Sequence, residues 1–344
     1  MMRVAKFLAL APVAAMVLMT APWLLGCGGA DGQRPGSGMG GALATGGVSD
    51  GAVGGAGETT TVSVLANGTT NLFVSLLGKS PAAAVDKVTT AVNRYLGIGT
   101  NESATPTAGT GYRCYYELSN DTTMGYIWAA DSNDVRSESM SYGMMIAAQM
   151  NLQTQLDHLW NFAKKYMQIA ASGSLQYFFN WQGEVNGTSV SFNNSKPAPD
   201  GDQYFAAALY VADQRWGSAG TINYKQEADN VANAFMHNAG SGSNCTIFNQ
   251  AQHQVVFFPL GTACNFTDPS YHLPAFYELF ALYGPVAGSS MWKAQAAASR
   301  AFLALSAHSA TGLHPDYATF VAVRPLPHRT TATTTSNTMP GAWS

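Results

Sequence analysis

Between residues 69 and 306, apolar residues recur at intervals of three and four. That spacing lines them along one face of an α-helix. It predicts helices at 69–78, 81–97, 139–152, 155–170, 202–216, 224–237, 271–284 and 290–306. The second is the most clearly marked. Ser80 is placed to cap it, Pro81 to take its first turn, and Val85, Val88, Val92 and Leu96 to form its buried stripe. Trp160, Phe162, Ala163, Tyr166 and Met167 mark the fourth. Strand-like alternation is confined to Gln254–Pro259, so the expected class is all-α. Long loops between alternate helices hold most of the aromatic and acidic residues. Helical hairpins with their functional loops gathered at one end describe an α/α toroid.

The ends of the chain read differently. Arg3 and Lys6 precede an apolar run, Phe7–Leu25, broken by Pro12 and Pro22. The run is short and closes on small residues, as in a secretory signal rather than a spanning helix. Its ending, Leu24-Leu-Gly-Cys27, resembles a bacterial lipoprotein signal, which implies lipidation of Cys27 and anchoring to a membrane without crossing it. Plain cleavage with secretion is the alternative. Residues 28–60 are Gly, Ala, Ser and Thr with few large apolar residues, the composition of a flexible tether. The globular domain is expected over 61–320.

Composition narrows the class of ligand. Only 11% of residues are charged, against about 25% in ordinary soluble proteins, and the formal net charge is -3. No nucleic-acid surface is expected. A surface of uncharged polar and aromatic residues suits a neutral, hydroxyl-rich ligand. Cys245 and Cys264 form one pairing that closes a loop and leaves Cys114 odd; three buried thiols are the other reading.

Candidate chemistry centres on Asp134-Val-Arg-Ser-Glu-Ser-Met-Ser-Tyr-Gly-Met144. Glu138 stands there at the start of a helix, ahead of the apolar run Tyr142–Met150. A carboxyl where water thins out has a raised pKa and holds a proton near neutrality, as a general acid must. For a lone Glu, complementing the helix dipole is the plainer reading. Two further acids repeat the setting: Asp200 in Pro197-Ala-Pro-Asp-Gly-Asp-Gln-Tyr-Phe205, and Asp268 in Asn265-Phe-Thr-Asp-Pro-Ser-Tyr-His-Leu-Pro274. Each alone reads as a turn or cap. Three at helix starts converge on one end of a toroid and supply what glycosidic hydrolysis needs: a protonated acid, an ionised base and room for water. Tyr126, Trp128, Tyr177, Trp181, Tyr204 and Tyr271 then either stack on sugar rings or pack the core.

Several stretches, in matching order, resemble glycoside hydrolase family 8, and within it the reducing-end xylose-releasing exo-oligoxylanases. They are Met124-Gly-Tyr-Ile127 with Asp134–Met145, Pro197–Phe205, Arg215-Trp-Gly217, Phe266–Pro274 followed by Phe276-Tyr-Glu-Leu-Phe280, and Thr311-Gly-Leu-His-Pro-Asp-Tyr-Ala318. The resemblance implies an (α/α)6 barrel and hydrolysis of β-1,4 bonds in xylo-oligosaccharides with inversion. It makes Glu138 the general acid and Asp268 the base that activates water, with Asp200 holding the sugar in the cleaved subsite. Arg136, Tyr142, Trp181, Tyr204 and Tyr271 become tuners or sugar contacts. Asp268 must stay ionised while Glu138 keeps its proton, so their surroundings must differ. The family usually has Gly after the acid; Ser139 here is expected to narrow the cleft. Endo action on xylan, cellulose or chitosan, and a lipoprotein that binds glycans without cleaving them, are the alternatives.

Other chemistries lack their residues. There is no His-Glu-x-x-His pair for zinc and no Gly-x-Ser-x-Gly elbow. Gly78-Lys-Ser80 has Phe73 where a phosphate loop needs Gly, and the acidic Asp131-Ser-Asn-Asp134 has Tyr142 where a calcium loop closes on Glu. No metal or cofactor is expected.

After Phe320 helical periodicity stops, and 321–344 reads as an aberrant tail. A twelve-helix ring needs four helices beyond the eight predicted. A reading-frame shift near residues 319–321 accounts for both facts and leaves the ring incomplete, with open apolar flanks. From Ser336 onward the shifted frame permits Glu-Tyr-Asp-Ala-Trp-Arg, of which only the Ala is forced, by Met339-Pro340. Sequencing the coding DNA is expected to show the shift; an intact frame through residue 344 removes it.

Overall fold

The structure, a computed structural model, describes residues 77–99, 113–170, 173–192, 196–237 and 244–320. The expectations for residues 1–60, all but the last two residues of the helix predicted at 69–78, and the tail at 321–344 lie outside these residues. Leu77 and Gly78 form a turn and a loop.

Helix α1 (Pro81–Leu96) starts as the sequence dictates: Ser80 Oγ accepts from the Ala83 N–H at 3.1 Å, and Gly97, at φ 69°, ends the helix in the left-handed region. Val92 and Leu96 are buried on its inner stripe, with Val85 and Val88 partly so. Two later helices differ in kind. In α2 (Ser137–Gln149), ten of thirteen residues are buried, and in α4 (Pro199–Trp216) thirteen of eighteen. A helix apolar around its circumference belongs inside a fold, and α2 and α4 pack directly on each other. Around them lie α3 (Gln153–Phe162), α5 (Tyr224–His237), α6 (Pro274–Tyr283) and α7 (Ser289–Ser306). Helix α3 packs on α2, α5 on α4, and α6 pairs with α7.

The helix predictions differ from the structure mainly at their ends. Helix α3 continues as one wide π-turn over Ala163–Met167, α4 begins three residues before the predicted 202, and α6 begins three after the predicted 271. All-α needs a larger correction. Five antiparallel strands form a sheet in sequence order: β1 (Tyr115–Leu118), β2 (Asp121–Ala129), β3 (Asp134–Arg136), β4 (Gln182–Asn186) and β5 (Ser189–Ser191). They carry little alternation. In β2, Gly125 to Trp128 are buried one after another, so both faces of the strand are covered there, and α2 and α3 pack on it. Along Gln254–Pro259 only Gln254–Val255 (β7) pairs, with Phe248–Asn249 (β6).

β3 runs into α2 without a loop, so Glu138 is delivered by a paired strand and an interior helix at once. The segment holding Asp268 is fixed differently. Phe266–Thr267 (β8) pairs with Ala318–Thr319 (β9), and buried His272 bridges Thr267 Oγ1 and Ser299 Oγ of α7, both at 2.9 Å. The imidazole lies flat on Phe302, ring centroids 4.1 Å apart. Cys245 and Cys264 form the disulfide, with Cα atoms 6.0 Å apart, and Cys114 lies outside it.

The bridged residues are 19 positions apart, so the cross-link removes about 3 kcal/mol of unfolded-chain freedom. A Cys245→Ser/Cys264→Ser double variant is expected to lose stability on that scale in urea unfolding. An unchanged midpoint would show that the loop is held without the bridge.

Candidate active site

Glu138 occupies the first turn of α2. Ser137 Oγ donates to its Oε2 at 3.1 Å. Burial pushes its pKa up, opposed by its own backbone N–H, by Arg136 and by the Ser137 hydroxyl; Asp134 adds to the rise. Arg136 is clamped by buried Asp134, Nε to Oδ1 at 3.0 Å and Nη2 to Oδ2 at 3.1 Å. Its guanidinium lies over the Trp181 ring, 5.4 Å from the centroid. Gln182 also donates to Asp134. Arg136 therefore reaches Glu138 as a field held by Asp134.

Asp200 lies inside the first turn of α4 rather than ahead of the helix, because α4 begins at Pro199. It is 5% exposed, and its Oδ1 has no hydrogen-bond partner. Burial raises its pKa well above the ordinary range, and Glu138 and then Asp268 raise it further. Gly201 is what lets the two helix starts meet. A Cβ there would stand 2.5 Å from Ser137 Oγ and 3.0 Å from the Ser137 carbonyl carbon.

Asp268 caps a single 3-10 turn, Pro269–Tyr271, rather than an α-helix; its Oδ1 accepts from Ser270 N–H at 2.8 Å and Ser270 Oγ at 2.7 Å. Burial lifts its pKa to about 6 against those two bonds, and Asp316 contributes to the rise. The expected contrast of one raised and one ordinary carboxyl is thus absent. All three are raised, and burial is the first cause in each.

Two tyrosines tie the three acids together. Tyr142 and Tyr271 are both pushed well up, first by burial and then by the charges of Asp200, Glu138 and Asp268. Tyr204 meets Tyr142 edge-on at 4.5 Å and Phe276 at 4.6 Å. Gln203 Nε2 donates to the Tyr271 carbonyl at 3.2 Å, and Phe257 stacks on the Tyr271 ring at 5.6 Å. Trp181 joins through its carbonyl, which accepts the Ser137 N–H at 2.9 Å. Glu138, Asp200, Asp268, Arg136, Tyr142, Trp181, Tyr204 and Tyr271 therefore share one region.

Some candidates fall elsewhere. Tyr126 and Trp128 are buried in the sheet against Tyr116, which makes them core. Ser139 does not narrow a cleft: its hydroxyl donates to the Arg136 carbonyl at 3.0 Å and accepts from the Arg136 N–H, capping α2. Sequence reasoning passed over Asp202, fully buried two residues beyond Asp200, and Asp316. Asp202 was in view in the Asp-Gly-Asp run but was absorbed into the helix start. Among the described residues, no group of three His, Cys, Asp or Glu side chains is arranged to hold a metal ion, and no helix is long and apolar enough to cross a membrane.

The model of glycosyl hydrolases family 8 matches residues 121–337. This chain belongs to that family. The family 8 chain is 40% identical over 209 residues to reducing-end xylose-releasing exo-oligoxylanase Rex8A of Paenibacillus barcinonensis, covering 60% of this chain and 53% of that one. It is 28% identical over 213 residues to endoglucanase 2 of Ruminiclostridium josui, covering 61% and 40%. The solved structure of Rex8A complexed with xylose superposes with a TM-score of 0.62 at 35% identity, over 72% of this chain and 61% of that one. The chain thus spans about half the length of the curated exo-oligoxylanase it matches.

Two outcomes follow from the geometry. Gly201→Ala forces the starts of α2 and α4 apart and is expected to cost about 1–3 kcal/mol in urea unfolding; an unchanged stability would mean those starts tolerate a methyl group between them. Asp268 has a folded pKa of about 6 against an ordinary 3.8, so the folded state holds its proton longer than the unfolded chain does. Its contribution to stability is full below pH 4 and is lost as pH rises through 6. The unfolding midpoint should fall across that window, and Asp268→Asn should flatten part of the fall.

Proposed function

We propose that this chain carries the catalytic region of an inverting β-1,4-glycosidase with an (α/α)6 ring, which releases xylose from the reducing end of xylo-oligosaccharides. The observation that carries the reading is the convergence of Glu138, Asp200 and Asp268 with Tyr142 and Tyr271, in a family 8 chain similar to an exo-oligoxylanase. Glu138 is the general acid: burial holds its proton, and Ser137 fixes the carboxyl. Asp268 is the base, with Oδ1 committed to Ser270 and Oδ2 left to take a proton from water. Asp200 holds sugar hydroxyls at the cleaved bond. Trp181, Arg136, Tyr142, Tyr204 and Tyr271 line the sugar path. Export with a lipid on Cys27 places this activity on a membrane face, supported by the residue pattern at 24–27.

Similarity to endoglucanase 2 favours endo action as the second reading. Products from xylohexaose and from carboxymethyl-cellulose separate the two: xylose as the first product supports exo action, and mixed shorter oligomers support endo action.

Glu138→Gln is expected to lower kcat on xylo-oligosaccharides by about 10²–10⁴-fold, and less on an aryl xyloside whose leaving group needs no proton. Equal loss on both substrates removes Glu138 from the acid's role. Activity retained in Asp268→Asn moves the base to another carboxylate, either Asp200 or one outside the described residues. A parent protein that binds xylo-oligosaccharides without cleaving them leaves a glycan binder.

A further inference from the structure

Asp202 is fully buried, yet only one of its oxygens is used. Oδ1 accepts the Phe179 N–H at 2.9 Å, and Oδ2 has no hydrogen-bond partner. An orphaned buried carboxyl oxygen is costly, so it calls for a reason. Phe205, three residues along the same face of α4, stacks on the ring of the same Phe179 with centroids 4.1 Å apart. Helix α4 thus grips residue 179 twice, by its backbone and by its ring.

The gripped segment leads straight to the site. Asn180 N–H donates to the Met167 carbonyl at 2.8 Å, Trp181 N–H to the Lys196 carbonyl at 2.9 Å, and the Trp181 carbonyl receives the N–H of Ser137, next to Glu138. We propose that Asp202 is a positioning residue: with Phe205 it fixes residues 179–182 to the start of α4, and so sets where the Trp181 ring stands against Arg136, two residues before Glu138. Its value to sugar binding rests on the functional reading above; its value to the placement of Trp181 does not. Burial first, and then Glu138, raise the Asp202 pKa well above the ordinary range. An amide offers the same acceptor, and a methyl group offers none.

The test reads Trp181 directly. The full chain is labelled with 5-fluorotryptophan, and the Trp181 signal among the seven tryptophans is assigned by its loss in Trp181→Phe. In Asp202→Ala the Trp181 fluorine resonance is expected to shift, while that of the core residue Trp292, packed on Phe235, Phe248, Tyr277 and Phe280, stays. Asp202→Asn is expected to restore its place. Phe205→Leu, which keeps the carboxyl and removes the ring, should move the same resonance. An unmoved Trp181 signal in Asp202→Ala overturns the proposal. So does a shift of all the tryptophan signals together, which would report loosening of the core alone. In kinetics on xylo-oligosaccharides, Asp202→Ala should raise KM about tenfold with kcat within about threefold, and add less than about twofold in a Trp181→Ala background. Full additivity of the two changes also overturns it. A parent without activity refutes the glycosidase reading, while the fluorine spectra still decide the role of Asp202.

Discussion

The site depends on two interior helices meeting start to start. Helices α2 and α4 are buried around most of their circumference, and Gly201 against Ser137 lets their first turns approach. Each turn carries a carboxyl, Glu138 or Asp200, into a place where water is scarce. Backbone N–H groups at helix starts favour the ionised form, and burial favours the neutral one. Burial prevails at both. Without the close approach, water would reach these groups and return them to ordinary acids.

Much of this was legible along the chain. The cap at Ser80, the stripe on α1 and the wholly apolar run after Glu138 translate directly into structure, because helix signals are local. The sheet was not legible, for an equally physical reason. Gly125–Trp128 is covered on both faces, so it shows no alternation and reads as undifferentiated apolar chain. The three acids were visible as residues, but their settings were only half right. Asp200 lies within its helix, and Asp268 caps a short turn whose place is fixed by β8, β9 and the disulfide, pairings that no local pattern announces. Tyr126 and Trp128 show the converse: aromatic residues near a motif turned out to be packing.

Four raised carboxyls in one region are a poor arrangement for stability. Glu138, Asp200, Asp202 and Asp268 are each held against their preference for water. Such local conflict marks sites where chemistry rather than folding chose the residues. The surrounding aromatic packing offsets it: Phe179 on Phe205, Tyr142 on Tyr204 and Tyr204 on Phe276 fill the space behind the acids. The interior supplies the stability that the carboxyls withhold.

His272 bears on the other side of the site. Its imidazole, stacked on Phe302 between two hydroxyls, has its pKa lowered to about 3, first by burial and then by His314. Histidine usually makes a seam responsive to mild acid. Here, with a pKa lowered to about 3, the ring stays neutral through mild acid, so the clasp between β8 and α7 does not respond to it. Acidification reaches Asp268, at about 6, long before it reaches the clasp that fixes the neighbouring strand.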